Sequence, residues 1–260
     1  MNERRQSTHI SRRLIAGLLG TAAALLIWHF SSITVNSSLI LPGPAEVFQK
    51  LGVLFQTRKF WVSVAGSFER VLWAFGLSIV IGAMTGIVSG LSPLIKDFLA
   101  PVITTIRATP VLALILIAMF WLPSHNVPIF SAFLMAYPIM HTSLYSGIVS
   151  TDKELLEMAA VFKVSAAVQF LNLRLPSARR YFLSGVKNTL GLCWKVVVAG
   201  EVLSQPPFAL GTGMQDARLS LETASVFAWA ITTVLLCGIS EYILGIVVRR
   251  FAGEREGEKE

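Results

Sequence analysis

The chain has 260 residues, of which 54% are hydrophobic and only 14% are charged. Roughly a quarter of the residues of a soluble domain are charged, so this composition excludes an ordinary soluble fold and indicates an integral membrane protein. The formal net charge of +7 does not indicate a nucleic-acid-binding protein, because the basic residues flank apolar segments and do not form one basic face.

Six apolar segments follow one another along the chain and predict an all-α, polytopic membrane protein with about six transmembrane helices. The predicted spans are residues 14–35, 67–89, 100–122, 129–149, 188–203 and 224–248. Together they form a single transmembrane domain, residues 14–249, between cytoplasmic tails at 1–13 and 250–260. The first span exceeds the roughly 7 to 15 apolar residues of a secretory signal, so we expect an uncleaved anchor.

Local patterns refine three of these regions. Ala45–Phe55 predicts a short amphipathic helix before the second span. The second span carries small residues at every fourth position, which predicts that another helix backbone packs closely against it. These small residues are Ala74, Ser78, Gly82, Gly86 and Gly90. Pro101 and Pro110 in the third span, and Pro138 in the fourth, predict kinks within a packed bundle.

The distribution of lysine and arginine predicts the orientation of the chain. With six spans, fifteen of these residues lie on the side of both termini, four lie on the opposite side and three lie within spans. The positive-inside rule therefore predicts that both termini and residues 151–176 are cytoplasmic.

Three charged residues within the fifth and sixth spans need a partner or water, since an isolated charge is costly in the bilayer. They are Lys195, Glu201 and Glu241. Lys195 and Glu201 are six residues apart, roughly 240° around a helix, so they do not share a face. Glu241, or a residue of a second copy, is the expected partner of Lys195. An ion pair that holds the bundle together and an anion-attracting position on a translocation path both fit Lys195.

The cytoplasmic run ELLEMAAVFKVSAAVQFLNLRLP, Glu154–Pro176, predicts a helix-turn-helix hairpin over residues 151–176. Thr151 and Glu154 match a capping box, and the first helix should extend from Asp152 to about Lys163. Ser165 can cap a second helix that ends before Pro176, because proline disfavours helical backbone at the preceding residue. A simpler alternative is an amphipathic connector that rests on lipid headgroups.

The spacing within this run resembles the EAA loop of the permease subunits of ATP-binding-cassette importers. Glu157 and Ala159 are followed by Leu175-Pro176, with Leu175 eighteen residues after the glutamate. The family pattern has Glu-Ala-Ala, then glycine four residues after the last alanine, then Leu-Pro after about eleven more residues. Met158 replaces the first alanine here, and Lys163 occupies the glycine position.

Four further segments, in the same order as in the family, resemble the nitrate, sulfonate and taurine group of these permeases. They are LPGPAEVF, SFERVLWAFGLSIVIGAMTGIVSG, PVITTIRATPVLALILI and AGEVLSQPPFALGTGMQDA. The resemblance implies a type I importer permease in a bacterial cytoplasmic membrane. Its implied partners are a second permease copy, two ATPase subunits and an extracytoplasmic solute-binding protein. The implied solute is a nitrate-, sulfonate- or taurine-like anion, with a thiamine or pyrimidine precursor as the alternative.

The resemblance also implies roles for individual residues. The residues that would contact or shape the ATPase docking site are Glu157, Ala159, Phe162, Lys163, Leu175 and Pro176. Leu155, Ala159 and Phe162 would fill the ATPase groove. Arg107 and Tyr137 lie in the spans that line the path in this family, beside Lys195, Glu201 and Glu241.

Other activities find less support in the sequence. The chain contains no Gly-Lys dipeptide and so lacks the phosphate loop GxxxxGK[ST]. We therefore expect no catalytic residue and no cofactor in this chain. The resemblance implies that ATP and Mg²⁺ are bound by a separate ATPase subunit. Neither the two cysteines nor the four histidines have metal-site spacing. A secondary transporter would usually show an internal repeat, and a membrane enzyme would need converging carboxylates; the sequence shows neither pattern.

Overall fold

A computed structural model describes the backbone of residues 2–253 and the side chains of residues 16–17 and 19–250. The predicted all-α fold is confirmed. The helices are α1 Asn2–Val35, α2 Pro44–Phe55, α3 Arg58–Leu91, α4 Pro93–Ala108, α5 Val111–Ala118, α6 Asn126–Val149, α7 Lys153–Val161, α8 Ala166–Gln169, α9 Leu175–Ser204, α10 Leu210–Leu219 and α11 Thr223–Gly253. A π turn, Phe170–Arg174, lies between α8 and α9.

Length and apolar composition identify membrane spans among these helices. Within the described residues, α3, α6 and α11 are each long and apolar enough to cross a bilayer, and the bent pair α4 and α5 can form a fourth span. The predicted span at 14–35 lies on α1, of which Leu19–Val35 is an apolar helix within the described residues. The predicted span at 188–203 lies within the more polar α9. These two spans, and with them the total of six, stay predictions.

The third predicted span, residues 100–122, is broken between α4 and α5, at the position where Pro110 predicts a kink. The chain bends by 98° between α4 and α5. Thr109 has extended backbone at the break (φ −75°, ψ 126°), because Pro110 disfavours helical backbone at the residue before it. Pro101, by contrast, is accommodated inside α4.

Helices α3, α6 and α9 form the centre of the bundle, and the predicted ridge of small residues is the surface of α3 that meets α6. Ala74 and Ser78 are fully buried. A Cβ atom added to Gly82 would lie 2.7 Å from Met140 Cβ, and one added to Gly86 would lie 2.5 Å from the backbone oxygen of His141. The close approach of the two backbones therefore depends on the absence of side chains at these positions.

The other face of the centre is covered by α2, α10 and α11. As predicted, α2 is amphipathic: Val47 and Leu51 are buried against Ala224 and Ala228 of α11. Small residues also bring α9 close to α6, since Gly147 packs against Ala178. Helices α6 and α9 flank the hairpin of residues 151–176 in sequence and anchor it to the bundle.

The glycine ridge gives a first testable prediction. Gly86→Ala should lower the free energy of unfolding by about 1–3 kcal/mol, because the added methyl group must displace the α6 backbone. Gly76→Ala on the same helix is the matched control, since no atom lies within 4 Å of its added Cβ and alanine favours helix by about 1 kcal/mol. Thermal unfolding in detergent measures both variants. Equal melting temperatures for the two variants would contradict the packing described here.

Candidate functional site

The hairpin begins with a helix cap that differs from the predicted capping box. The Asp152 side chain accepts a hydrogen bond from the Glu154 backbone N–H at 2.8 Å. Thr151 is buried, and its hydroxyl donates to the Ile148 carbonyl at 2.9 Å. The prediction of Thr151 as the cap is wrong because this residue completes the last turn of α6, which leaves the next residue to begin α7.

Helix α7 ends in a Schellman motif centred on Lys163. The Val164 N–H donates to the Ala159 carbonyl at 2.9 Å, and the Lys163 N–H donates to the Ala160 carbonyl at 3.0 Å. Lys163 has φ 52°, a left-handed conformation that favours glycine. Lysine thus occupies the glycine position of the EAA pattern without loss of the turn, because the backbone makes both hydrogen bonds.

One surface of the hairpin is apolar and exposed. Val161 and Phe162 are 78% and 75% exposed, and Met158 is 52% exposed. Glu157 is also exposed, so an acidic group lies on the same short helix. Ala159, by contrast, is only 5% exposed and packs inside the hairpin, so the prediction that it fills a partner's groove is wrong.

The second half of the hairpin continues into α9 and does not end before Pro176. Ser165 makes no capping hydrogen bond with its side chain, contrary to prediction. Four α-helical residues pass into the π turn, whose Leu175 N–H donates to the Phe170 carbonyl. Leu175-Pro176 then forms the first turn of α9. The wider turn accommodates proline, which lacks an N–H and in a regular α-helix clashes with the carbonyl four residues earlier.

At the opposite end of the bundle lies a buried ion cluster, formed by Ser67, Arg70 and Glu201. Arg70 Nη1 and Glu201 Oε1 are 3.0 Å apart, and the three side chains are at most 2% exposed. The Ser67 hydroxyl lies 2.8 Å from both carboxylate oxygens of Glu201. The cluster joins α3 to α9 and satisfies two charges that would otherwise be buried without compensation.

The buried ion cluster also fixes the loop between α9 and α10. Arg70 donates to the carbonyls of Pro207 and Phe208 at 3.1 and 3.3 Å. The backbone N–H groups of Leu210 and Gly211 donate to Ser67 Oγ at 2.9 Å and to Glu201 Oε2 at 3.1 Å. A Cβ at Gly211 would lie 2.6 Å from the Cβ of Glu201, so glycine is required for this approach.

A fourth contact ties the chain before α6 to the same arginine. Arg70 Nη2 lies 3.2 Å from His125 Nδ1. Because arginine can only donate, the histidine nitrogen accepts this hydrogen bond. One guanidinium thus connects α3, α9, the loop before α10 and the residue preceding α6.

The structure pairs the charges differently from the sequence prediction. The partner of Glu201 is Arg70, which lies in the predicted span 67–89 and for which the sequence predicts no partner. An arginine inside an apolar span is itself a signal that a carboxylate must lie nearby. Among the described residues no ion pair joins Lys195 to Glu241. A partner for Lys195 from a second copy stays a prediction.

Lys195 and Glu241 instead line one cavity of about 480 Å³ between α9 and α11. They lie away from Glu201, as the predicted 240° separation of Lys195 and Glu201 requires. Arg107 is exposed near the break between α4 and α5, whereas Tyr137 is buried and packs beside the rings of Phe133 and His141. Of these two residues only Arg107 has an exposed side chain, and its role on a translocation path stays a prediction.

Two ion pairs lie outside the predicted spans, at the end of the molecule that carries the loop before α10. Lys50 and Glu222 are 3.4 Å apart, and Lys59 and Asp216 are 3.1 Å apart. A hydrogen bond from Ser225 and the charge of Lys50 hold the pKa of Glu222 below its usual range. Glu222 thus stays ionised at neutral pH and contributes to this contact until the pH falls through that lowered value. Within the described residues, no group of three His, Cys, Asp or Glu side chains could hold a metal ion.

Comparison with known proteins identifies relatives along most of the chain. The sequence model of the family described as "Binding-protein-dependent transport system inner membrane component" matches residues 78–253. A probable ABC transporter permease of Brucella abortus is 27% identical over 92% of this chain and 95% of its own length. The taurine transport system permease of Escherichia coli is 28% identical over 89% and 87%. The nitrate import permease of Synechocystis is 27% identical over 93% and 87%.

Two solved structures share the fold. A bacterial ABC transporter involved in the import of alginate matches with a TM-score of 0.59 and 17% identity, over 95% of this chain and 99% of that one. An amino acid ABC transporter with histidines matches with the same TM-score and identity, over 73% and 92%. At this identity the likeness shows a common arrangement of helices.

The buried ion cluster gives a second prediction. Arg70→Leu should lower the free energy of unfolding by about 3–5 kcal/mol, because it leaves Glu201 buried and unpaired. Lys59→Leu is the control, since its pair with Asp216 is exposed and worth about 0–1 kcal/mol. Chemical unfolding in detergent measures both variants. Similar losses for the two variants would show that burial does not distinguish the pairs.

Lys163 gives a third prediction. Lys163→Gly should raise the free energy of unfolding of the hairpin by about 1 kcal/mol, because glycine adopts the left-handed conformation without steric cost. Lys153→Gly, in the first turn of α7, should lower it by about as much. Protection of the hairpin amides from hydrogen exchange measures both changes. A loss of protection with Lys163→Gly would contradict the conformation described.

Proposed function

Because the chain belongs to the family of binding-protein-dependent transport system inner membrane components, we propose that it forms the solute path of an ATP-driven importer for a small anion. As the membrane component, the chain binds no cofactor of its own, and ATP hydrolysis belongs to a separate subunit. The observation that carries the proposal is the exposed apolar surface of the hairpin, joined directly to α6 and α9.

The hairpin is suited to transmit force from an ATPase. Met158, Val161 and Phe162 form an apolar surface that a partner's groove can cover, and Glu157 adds a polar contact. Ala159 and the Schellman motif hold α7 in place, and the π turn joins the hairpin to α9 without a flexible linker. A displacement of α7 by the ATPase is therefore passed to the central helices.

The proposal includes the assembly and its orientation. Two copies of the chain form a homodimer with two ATPase subunits and an extracytoplasmic solute-binding protein. Six spans place both termini and the hairpin in the cytoplasm, in agreement with the excess of lysine and arginine on that side. The loop before α10 and the ion pairs of α2 and α3 then face the binding protein.

The solute is a small oxyanion of the nitrate, sulfonate or taurine kind. The names of the E. coli and Synechocystis relatives specify taurine and nitrate transport, and a third relative from Bacillus subtilis is named for aliphatic sulfonates. Arg107 supports this choice, because it places an exposed cation at the break between α4 and α5. Import of a thiamine or pyrimidine precursor by the same machinery is the second candidate.

Reconstitution of the chain with its ATPase and binding protein tests the function. Labelled taurine or nitrate should accumulate in proteoliposomes only when ATP and the binding protein are both present. Uptake driven by an ion gradient without ATP would instead indicate a secondary transporter.

The docking surface gives a fourth prediction. Glu157→Lys and Phe162→Ala should each lower ATP-driven uptake at least tenfold, because the central residues of a docking surface each contribute about 2 kcal/mol or more. Asp97→Lys is the control for Glu157→Lys, since it reverses an exposed carboxylate in α4, outside the hairpin. Uptake and co-purification of the ATPase are measured together. Normal uptake by both hairpin variants would refute the docking role.

A further inference from the structure

The cavity between α9 and α11 holds charges that the proposed function does not use. Its volume is about 480 Å³, and its wall contains Lys187, Lys195, Arg249 and Glu241. Three cations and one carboxylate give the wall a formal charge of +2. Because such charges are costly within the bilayer, a cavity of this kind requires an anionic ligand or water.

The cavity has the dimensions of a site within one leaflet. Lys187 and Lys195 are eight residues apart on α9, as are Glu241 and Arg249 on α11, which corresponds to about 12 Å along each helix. The hydrocarbon core of a bilayer is about 30 Å thick, so the cavity reaches less than halfway through it. Arg249 is in the last turns of α11, at the end that the proposed orientation places at the cytoplasmic surface.

The residues of α11 at the rim of the cavity are exposed and mostly apolar, as expected for a surface that contacts lipid. Tyr242 and Ile246 line the rim and are exposed. The exposed apolar side chains of α11 continue along the helix on both sides of this rim. They include Leu235, Ile239, Ile243 and Val247. Acyl chains can therefore lie against α11 while a charged headgroup enters between the two helices.

We propose that this cavity binds the phosphate headgroup of an acidic phospholipid from the cytoplasmic leaflet. Lys187 and Arg249 bind the phosphate, Lys195 extends from the inner end toward it, and Glu241 moderates the positive charge. A basic pocket between membrane helices on the cytoplasmic side is the arrangement expected for an acidic headgroup. A transported solute fits less well, because neither α4, which carries Arg107, nor α5 contributes to this wall.

The site rests on the proposed function only through the orientation of the chain. Its occupation would connect α9, which continues the hairpin, to the last helix. An acidic headgroup there lowers the repulsion among the three cations and holds the two helices together. Lipid composition would then alter the stiffness of the element that the ATPase displaces.

Native mass spectrometry of the full-length chain in detergent tests the site, with dioleoyl phosphatidylglycerol as the probe and dioleoyl phosphatidylcholine as the neutral comparison. Lys187→Gln should weaken phosphatidylglycerol binding about fivefold, the effect of one cation near an acidic headgroup. Glu241→Gln should strengthen it by about as much, since it raises the formal charge of the wall to +3. This opposite change keeps the test valid if Lys187→Gln fails to fold.

Arg250→Gln is the matched control, because it removes a cation next to Arg249 that does not line the cavity. It should leave binding within about twofold of the unaltered chain. Equal binding of the two lipids, or equal losses with Lys187→Gln and Arg250→Gln, would overturn the proposal. Inorganic phosphate and sulfate distinguish a free anion from a headgroup: displacement of the lipid by either at millimolar concentration would assign the cavity to free anions.

This test is independent of transport. Failure to accumulate solute would refute the proposed function and leave phosphatidylglycerol binding intact. Loss of the lipid site, with normal ATP-driven uptake, would refute only the site.

Discussion

The pairing of Arg70 with Glu201 is the constraint on which the rest of the bundle depends. A charge buried in an apolar environment is tolerated only when a partner and hydrogen bonds compensate it. The two residues are 131 positions apart in sequence, so their contact fixes the positions of α3 and α9 relative to each other along the bundle axis. The loop before α10 takes its shape from its hydrogen bonds to the polar atoms of this pair.

From this fixed end, the central helices extend to a hairpin that the buried ion cluster does not touch. Glycine-mediated packing of α3 on α6, and of α6 on α9, makes the centre stiff. The hairpin is held by its two ends and by its own backbone hydrogen bonds, and its apolar surface remains uncovered in the single chain. The molecule thus combines a polar anchor at one end with an adaptable contact surface at the other, as a subunit driven from outside requires.

The sequence specified the features that depend on local periodicity. The ridge from Ala74 to Gly86 and the amphipathic α2 follow from spacing along one helix. The sequence predicts the buried residues of the ridge and the amphipathic character of α2. The partner of Glu201 was missed because one sequence shows which residues need partners but not which helices meet. Ala159 was assigned to the wrong face because α7 is short and apolar on most sides, so its periodicity does not single out one buried stripe.

The remaining differences between prediction and structure lie at the junctions between helices, where more than one rule for the end of a helix applies. Thr151 and Asp152 are both good helix caps, and only the point at which α6 ends decides between them. Pro110 breaks its helix, whereas Pro101 and Pro176 are accommodated. Each proline lacks the backbone N–H that a helix uses. The surrounding backbone determines whether the helix breaks, as at Pro110, continues, as at Pro101, or follows a π turn, as at Pro176.

The π turn before α9 determines how far the hairpin is rotated about the helix axis relative to the rest of α9. A π turn is equivalent to one extra residue in a helix, and one residue corresponds to about 100° of rotation about the axis. The five residues Phe170–Arg174 therefore set the angular phase between the hairpin and everything beyond Pro176. A chain one residue shorter there would keep every helix and still direct the hairpin surface about a quarter-turn away from its partner.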